Sequence, residues 1–152
     1  MTTIADALAR FAVSMRVGTV PPDVRERALH LILDATGIAY ASARHDFARD
    51  AVEGVRSIAG SGDVPLIGLP MHLPPRDAAL ANGILVHSLD FDDTHLAGVV
   101  HASASVWPAV LATATITLFF SEVTSTESSQ SFWYHSSVNP SQRILSRESL
   151  KE

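Results

Sequence analysis

The chain has 152 residues, enough for one domain with a real core and too few for a second. Hydrophobic residues make up 47% and charged residues 18%, the balance of a folded globular chain rather than a disordered one. A net charge of -5 argues against nucleic acid as a partner, and the absence of cysteine removes disulfides, thiolate metal sites and cysteine nucleophiles.

Ile4, Leu8, Phe11, Ala12 and Met15 recur at helical spacing behind Thr2 or Thr3 as caps, which predicts an amphipathic helix ended by Gly18 and Pro21-Pro22. Asp6 and Arg10 interrupt the apolar residues between Met1 and Arg16, so neither an export signal nor a membrane span is expected there, and the chain is expected to be cytoplasmic. A longer helix is predicted from Asp23 to about Arg44. Its apolar residues, among them Val24, Leu31, Ala35 and Ile38, surround much of the circumference, which reads as a central, buried helix. A third helix is expected over Phe47 to Ala59, closed by Gly60-Ser61-Gly62. Val64 to Gly68 then reads as a short extended stretch that Pro65 confines to an edge. Pro74-Pro75 opens a helix at Arg76 that runs toward His87, since proline is tolerated where the first N–H groups have no partner. A polar loop follows from Asp90 to His101, and an apolar helix from Ala102 to Ala114, in which Pro108 marks a kink.

Composition breaks after that point: the first 114 residues hold 21 alanines, the last 38 hold none and carry ten serines. The expected fold is all-α, with residues 1–114 forming part of a helical domain and residues 115–152 an atypical, irregular or disordered tail. A disordered C-terminus, a small extra module, and out-of-frame or foreign sequence after a truncation are the three readings of that tail. The last is favoured, because Ile116 to Phe120 is a β-prone apolar run that a solvated tail would leave open to aggregation. The same run also reads as the end of a buried helix.

The chemistry concentrates in His87-Ser88-Leu89-Asp90-Phe91-Asp92-Asp93-Thr94-His95 and, a few residues on, His101. If the preceding helix continues, His87, Asp90 and Thr94 share one face at i, i+3 and i+7. Carboxylates this close repel, so one is expected to hold its proton to higher pH and act as an acid beside an imidazole that titrates near neutrality. Such a pairing moves protons at a carbon next to a carboxylate without any cofactor, which suits lyases and epimerases. Two other readings stand beside it: Asp92-Asp93-Thr94 as a helix cap, and Asp90, Asp92, Asp93, His95 and His101 as ligands for Mg, Mn, Fe or Zn.

Ala81-Asn82-Gly83, His87 through His95, His101-Ala102-Ser103 and Val106-Trp107-Pro108-Ala109 together closely resemble the signature of the MmgE/PrpD family, and the likeness covers roughly residues 3 to 114. The resemblance implies a metal-independent, cofactor-free enzyme acting on a small polycarboxylate, as do 2-methylcitrate dehydratase, cis-aconitate decarboxylase and iminodisuccinate epimerase. It matches Asp90, Thr94 and His101 to the family's catalytic aspartate, threonine and histidine. His87, Asp93, His95 and Ser103 follow as substrate-binding neighbours, and Asp92 stays outside the correspondence. No metal, nucleic acid or membrane is implied, and a homodimer is the expected assembly of a full-length enzyme. Two departures are visible. His101-Ala102-Ser103 stands where the family usually reads His-Pro-Ser, and after Leu111-Ala112 the family continues into further helices and an α+β domain that this chain lacks.

No Lys or Arg occurs between Arg76 and Arg143, and Lys151 is the one lysine. A polycarboxylate needs cationic partners. Only His87, His95 and His101 offer positive charge locally, so the basic half of the site is expected to come from elsewhere. A helical fragment without catalysis, or an interaction module, is the competing expectation.

Overall fold

The computed structural model describes residues 3–137. Five helices and one small hairpin form it: α1 (Ile4–Ser14), a single 3-10 turn (Val17–Thr19), α2 (Pro22–Ser42), α3 (Asp46–Ile58), β1 (Val64–Pro65), β2 (His72–Leu73), α4 (Pro75–His87) and α5 (Ala102–Ser137). The all-α expectation holds. Among the described residues, no helix is long and apolar enough to cross a membrane.

Local chemistry starts each helix. Thr3 caps α1 reciprocally with Asp6: the Asp6 N–H donates to the Thr3 hydroxyl at 3.1 Å, and the Thr3 N–H donates to the Asp6 carboxylate at 3.3 Å. Proline occupies the first turn of both α2 and α4. In α3 the buried Ala48, Val52 and Val55 fall at i, i+4 and i+7, which turns one stripe of the helix onto the core.

The core is a cluster of Ala35 and Ala39 from α2, Val52 from α3, Val64, Leu66 and Leu73 from the hairpin, and Ala81, Leu85 and Val86 from α4, reaching Ala112 of α5. Helix α2 is not the central buried helix that its composition suggests. Only Ala35, Ile38, Ala39 and Ser42 in its second half are buried, while Leu29 and Leu33 are 65% and 72% exposed. The apolar stripe of α1 is likewise open, with Ile4 at 81%.

Val64 pairs with Leu73 and Pro65 with His72 in antiparallel register, so the extended stretch expected at Val64 does have a partner. Asn82 of α4, wholly buried, secures this hairpin: its carboxamide oxygen accepts from the Ile67 N–H at 2.8 Å, and its NH2 donates to the Pro65 carbonyl at 3.1 Å. Gly62 sits where a Cβ would lie 2.2 Å from the Pro74 nitrogen, so no side chain fits there.

Helix α5 does not stop near Ala114 but runs on to Ser137, through the start of the segment where irregular chain is expected; the remainder of that segment lies outside the described residues. The reason is local: no glycine or proline follows Pro108 before Pro140. The threonine hydroxyls of Thr113, Thr115 and Thr117 bond back to carbonyls one turn earlier, at 2.8, 2.8 and 2.9 Å, and so do not compete for other partners.

Candidate active site

The end of α4 and the start of α5 bring the two ends of the polar loop together. Helix α4 terminates at His87, where the Asp90 N–H donates to the His87 carbonyl at 2.9 Å and Asp90 takes a left-handed conformation, φ 55°. Aspartate tolerates that region better than most residues. The helix therefore does not continue through the loop, and the i, i+3, i+7 face expected of His87, Asp90 and Thr94 does not form.

A different grouping replaces it. Asp92 turns inward, 5% exposed, with its carboxylate between two imidazoles. His87 Nδ1 lies 3.1 and 3.2 Å from its two oxygens, and His101 Nδ1 lies 3.4 Å from one of them. The imidazole centroids are 4.9 Å apart in an edge-on arrangement. His101 Nε2 is 3.9 Å from Asp90 Oδ1, on a side chain that is 80% exposed. His87 and His101 also line an open cavity of about 560 Å3 whose remaining walls are Ala79, Leu80, Gly83, Ile84, Ala104 and Ser105. That size suits a small-molecule site.

Asp93 points the other way. Its Oδ1 accepts the Ser103 N–H at 2.9 Å, one of the unpaired donors in the first turn of α5, and so caps that helix. The Ser103 hydroxyl first, then the Ser103 N–H and the charge of His101, hold the Asp93 carboxyl below the usual carboxylate range, against the opposing effect of partial burial. A carboxyl that keeps its proton to higher pH is thus not found at Asp93. The capping reading of the motif is met at Asp93, while Asp90 and Asp92 face histidines.

His95 and Thr94 stand apart from this cluster. His95 Nδ1 accepts the Gly98 N–H at 3.0 Å and its backbone bridges to Val100, so the ring staples its own loop. Thr94 is exposed. Of the five residues expected as metal ligands, Asp93 and His95 are not gathered. One donor atom each from His87, Asp90, Asp92 and His101 lies within 4.8 Å of the others, a nitrogen and oxygen set of the kind zinc accepts.

The pairing of Asp92 with His87 needed the fold; in the sequence it shows only as density of polar residues. The same holds for Arg27 and His30 of α2, which line a second cavity of about 480 Å3 with Asp34, Phe91 and Asp93. One arginine there faces two carboxylates, so this cavity does not supply the cationic half that a polycarboxylate requires.

A helical scaffold that presents two histidines to a small cavity, with aspartates beside them, defines a candidate acid/base site. Comparison with known proteins gives it a family. The MmgE/PrpD N-terminal domain matches residues 6–117, and the chain belongs to the MmgE/PrpD family. It is 30% identical over 109 residues to cis-aconitate decarboxylase of Aspergillus terreus, which is 72% of this chain and 22% of that protein. It is 30% identical over 116 residues to cis-aconitate decarboxylase of Homo sapiens, 75% and 24% of the two chains. To the Mus musculus protein of the same name it is 27% identical over 114 residues, 74% and 23%. The chain thus spans under a quarter of the length of these relatives. No solved structure matches it.

Proposed function

We propose that this chain carries the acid/base part of a cofactor-free lyase acting on a small polycarboxylate, of the kind named in its relatives, cis-aconitate decarboxylase. The observation that carries the reading is the approach of His101 Nε2 to Asp90 Oδ1 at 3.9 Å beside a cavity of suitable size. In decarboxylation the carbon–carboxylate bond breaks, carbon dioxide leaves with its carbon, and the electron pair left behind takes a proton. A protonated His101 delivers that proton at Nε2, and Asp90 orients the ring or the substrate. His87 shares the cavity wall with His101, and Thr94 and His95, which stand apart from the cluster, reach the substrate only if the exposed loop folds over it. Dehydration or epimerisation would use the same proton carrier.

The test is a graft: residues 1–117 joined to the remainder of the Aspergillus terreus enzyme, assayed for loss of cis-aconitate and of a panel of other polycarboxylates. The graft is expected to turn over. Asp90→Asn and His101→Ala are each expected to lower the rate by about 100-fold or more. Undiminished turnover in both variants overturns the site assignment.

A non-catalytic interaction module is the second reading, favoured by the open apolar faces of α1 and α2. It predicts a graft that folds and never turns over any of the panel.

A further inference from the structure

We infer that Asp92 is the positioning carboxylate of this site: it receives the Nδ1–H of both His87 and His101 and thereby leaves both Nε2 atoms bare. Its catalytic meaning rests on the acid/base reading above; the geometry itself does not.

Three observations carry it. The Asp92 side chain has no exposed surface, and a carboxylate taken out of water needs hydrogen-bond donors to keep its charge. No lysine or arginine lies between residues 76 and 143 in the sequence, and among the described residues the side-chain groups that reach Asp92 are the two Nδ1 atoms, at 3.1 Å from His87 and 3.4 Å from His101. His101 Nδ1 is itself buried and makes no hydrogen bond, and the Asp92 oxygen 3.4 Å away is an acceptor within its reach. Loose contacts of this kind tighten when a site is filled.

A neutral imidazole carries one N–H, and an ionised carboxylate accepts only. Facing Asp92, each ring keeps its proton on Nδ1 and presents a lone pair at Nε2. For His101 that is the nitrogen on the Asp90 side. When Nε2 takes a proton, the imidazolium keeps its Nδ1–H on Asp92 and is stabilised there. Asp92 therefore acts through the histidines rather than on the substrate. The alternative arrangement, a protonated Asp92 donating to one ring, forces the proton of that ring onto Nε2 and removes its basic site.

The two arrangements are read directly by long-range proton–nitrogen correlation spectra of the complete 152-residue chain with 15N-labelled histidine. At a pH high enough to keep both rings neutral, both are expected in the Nδ1–H form in the wild-type chain, and a neutral Nε2–H tautomer of either one overturns the inference. In Asp92→Asn, one oxygen becomes an NH2 donor, so at least one of the two rings is expected to switch to Nε2–H. A folded Asp92→Asn chain that retains both Nδ1–H tautomers overturns it as well. If that variant does not fold, the wild-type spectrum decides alone. A graft without turnover removes the lyase reading and leaves these tautomers unaffected, so the two failures are distinguishable.

Discussion

Gly83 of α4 faces the carbonyl oxygen of Ala104 in α5 so closely that a Cβ on residue 83 would lie 3.0 Å from it. That carbonyl lacks its usual helical donor, because the residue four positions on is the buried Pro108, which has no N–H. The proline and the glycine together let the two helices meet where His87 and His101 must converge. Gly83→Ala has two opposed effects: about 1 kcal/mol gained in helix propensity and about 1 to 3 kcal/mol lost to overpacking against backbone that cannot move aside. The loss prevails, so a lower midpoint of thermal unfolding is expected, with Gly83→Val lower still. A higher midpoint for Gly83→Ala would show that the helices are not in close contact.

Asp93 is expected to stabilise α5 in a pH-dependent way. Removing a side-chain cap costs about 1 kcal/mol, so Asp93→Ala should lower stability by that amount at neutral pH. Because its folded pKa is depressed, the ionised form contributes stability above the unfolded value of about 4, and that contribution disappears as pH falls through the lower folded value. Urea unfolding of wild type and Asp93→Asn should therefore differ at pH about 6 and converge in acid below about pH 4. A gap that widens in acid would contradict the assignment.

Asn82 offers a sharper stability test, since one amide serves two backbone groups 15 and 17 residues away. Each such bond contributes about 1 kcal/mol net, so Asn82→Ala should cost about 2 kcal/mol. Asn82→Asp keeps the acceptor for Ile67 and loses the donor to Pro65 while placing a charge at a wholly buried position. It should be the more damaging of the two by denaturant titration. Equal loss would mean that the buried charge costs no more than the acceptor bond it keeps.

These contacts explain what could be read from the chain and what could not. The helix starts were legible because Thr3, Pro22 and Pro75 act locally, and the all-α class followed from helical spacing of apolar residues. Strand β2 was not legible: two residues, His72-Leu73, carry no periodicity, and the hairpin depends on an asparagine remote in sequence. Burial of α2 was overestimated because periodicity reports that a face is apolar, not whether anything covers it. At the site, polar density singled out the loop from His87 to His101 and the family resemblance singled out Asp90 and His101, which the fold brings within 3.9 Å of each other. The place of Asp92 depended on α4 ending at His87 and on Asp90 turning left-handed, and neither event has a local signal strong enough to read.

Val99 carries the last prediction. It holds φ 51° in the loop after His95, a conformation that a β-branched residue adopts only under strain, and its side chain, 84% exposed, gains nothing from packing. Relieving such strain is worth about 1 to 3 kcal/mol, while glycine adds about 0.5 to 1 kcal/mol of freedom to the unfolded chain. Val99→Gly should accordingly be stabilising by about 1 kcal/mol, a reversal of the usual effect of glycine. The neighbouring Gly98 behaves oppositely, since a Cβ there would lie 2.9 Å from His95 Nδ1 and push the ring off its bond to the Gly98 N–H. Gly98→Ala should loosen the loop and free the imidazole. Paired thermal melts separate the two positions: a gain at 99 with a loss at 98 supports a strained, stapled loop, and losses of similar size at both would show that the backbone at Val99 stores no strain.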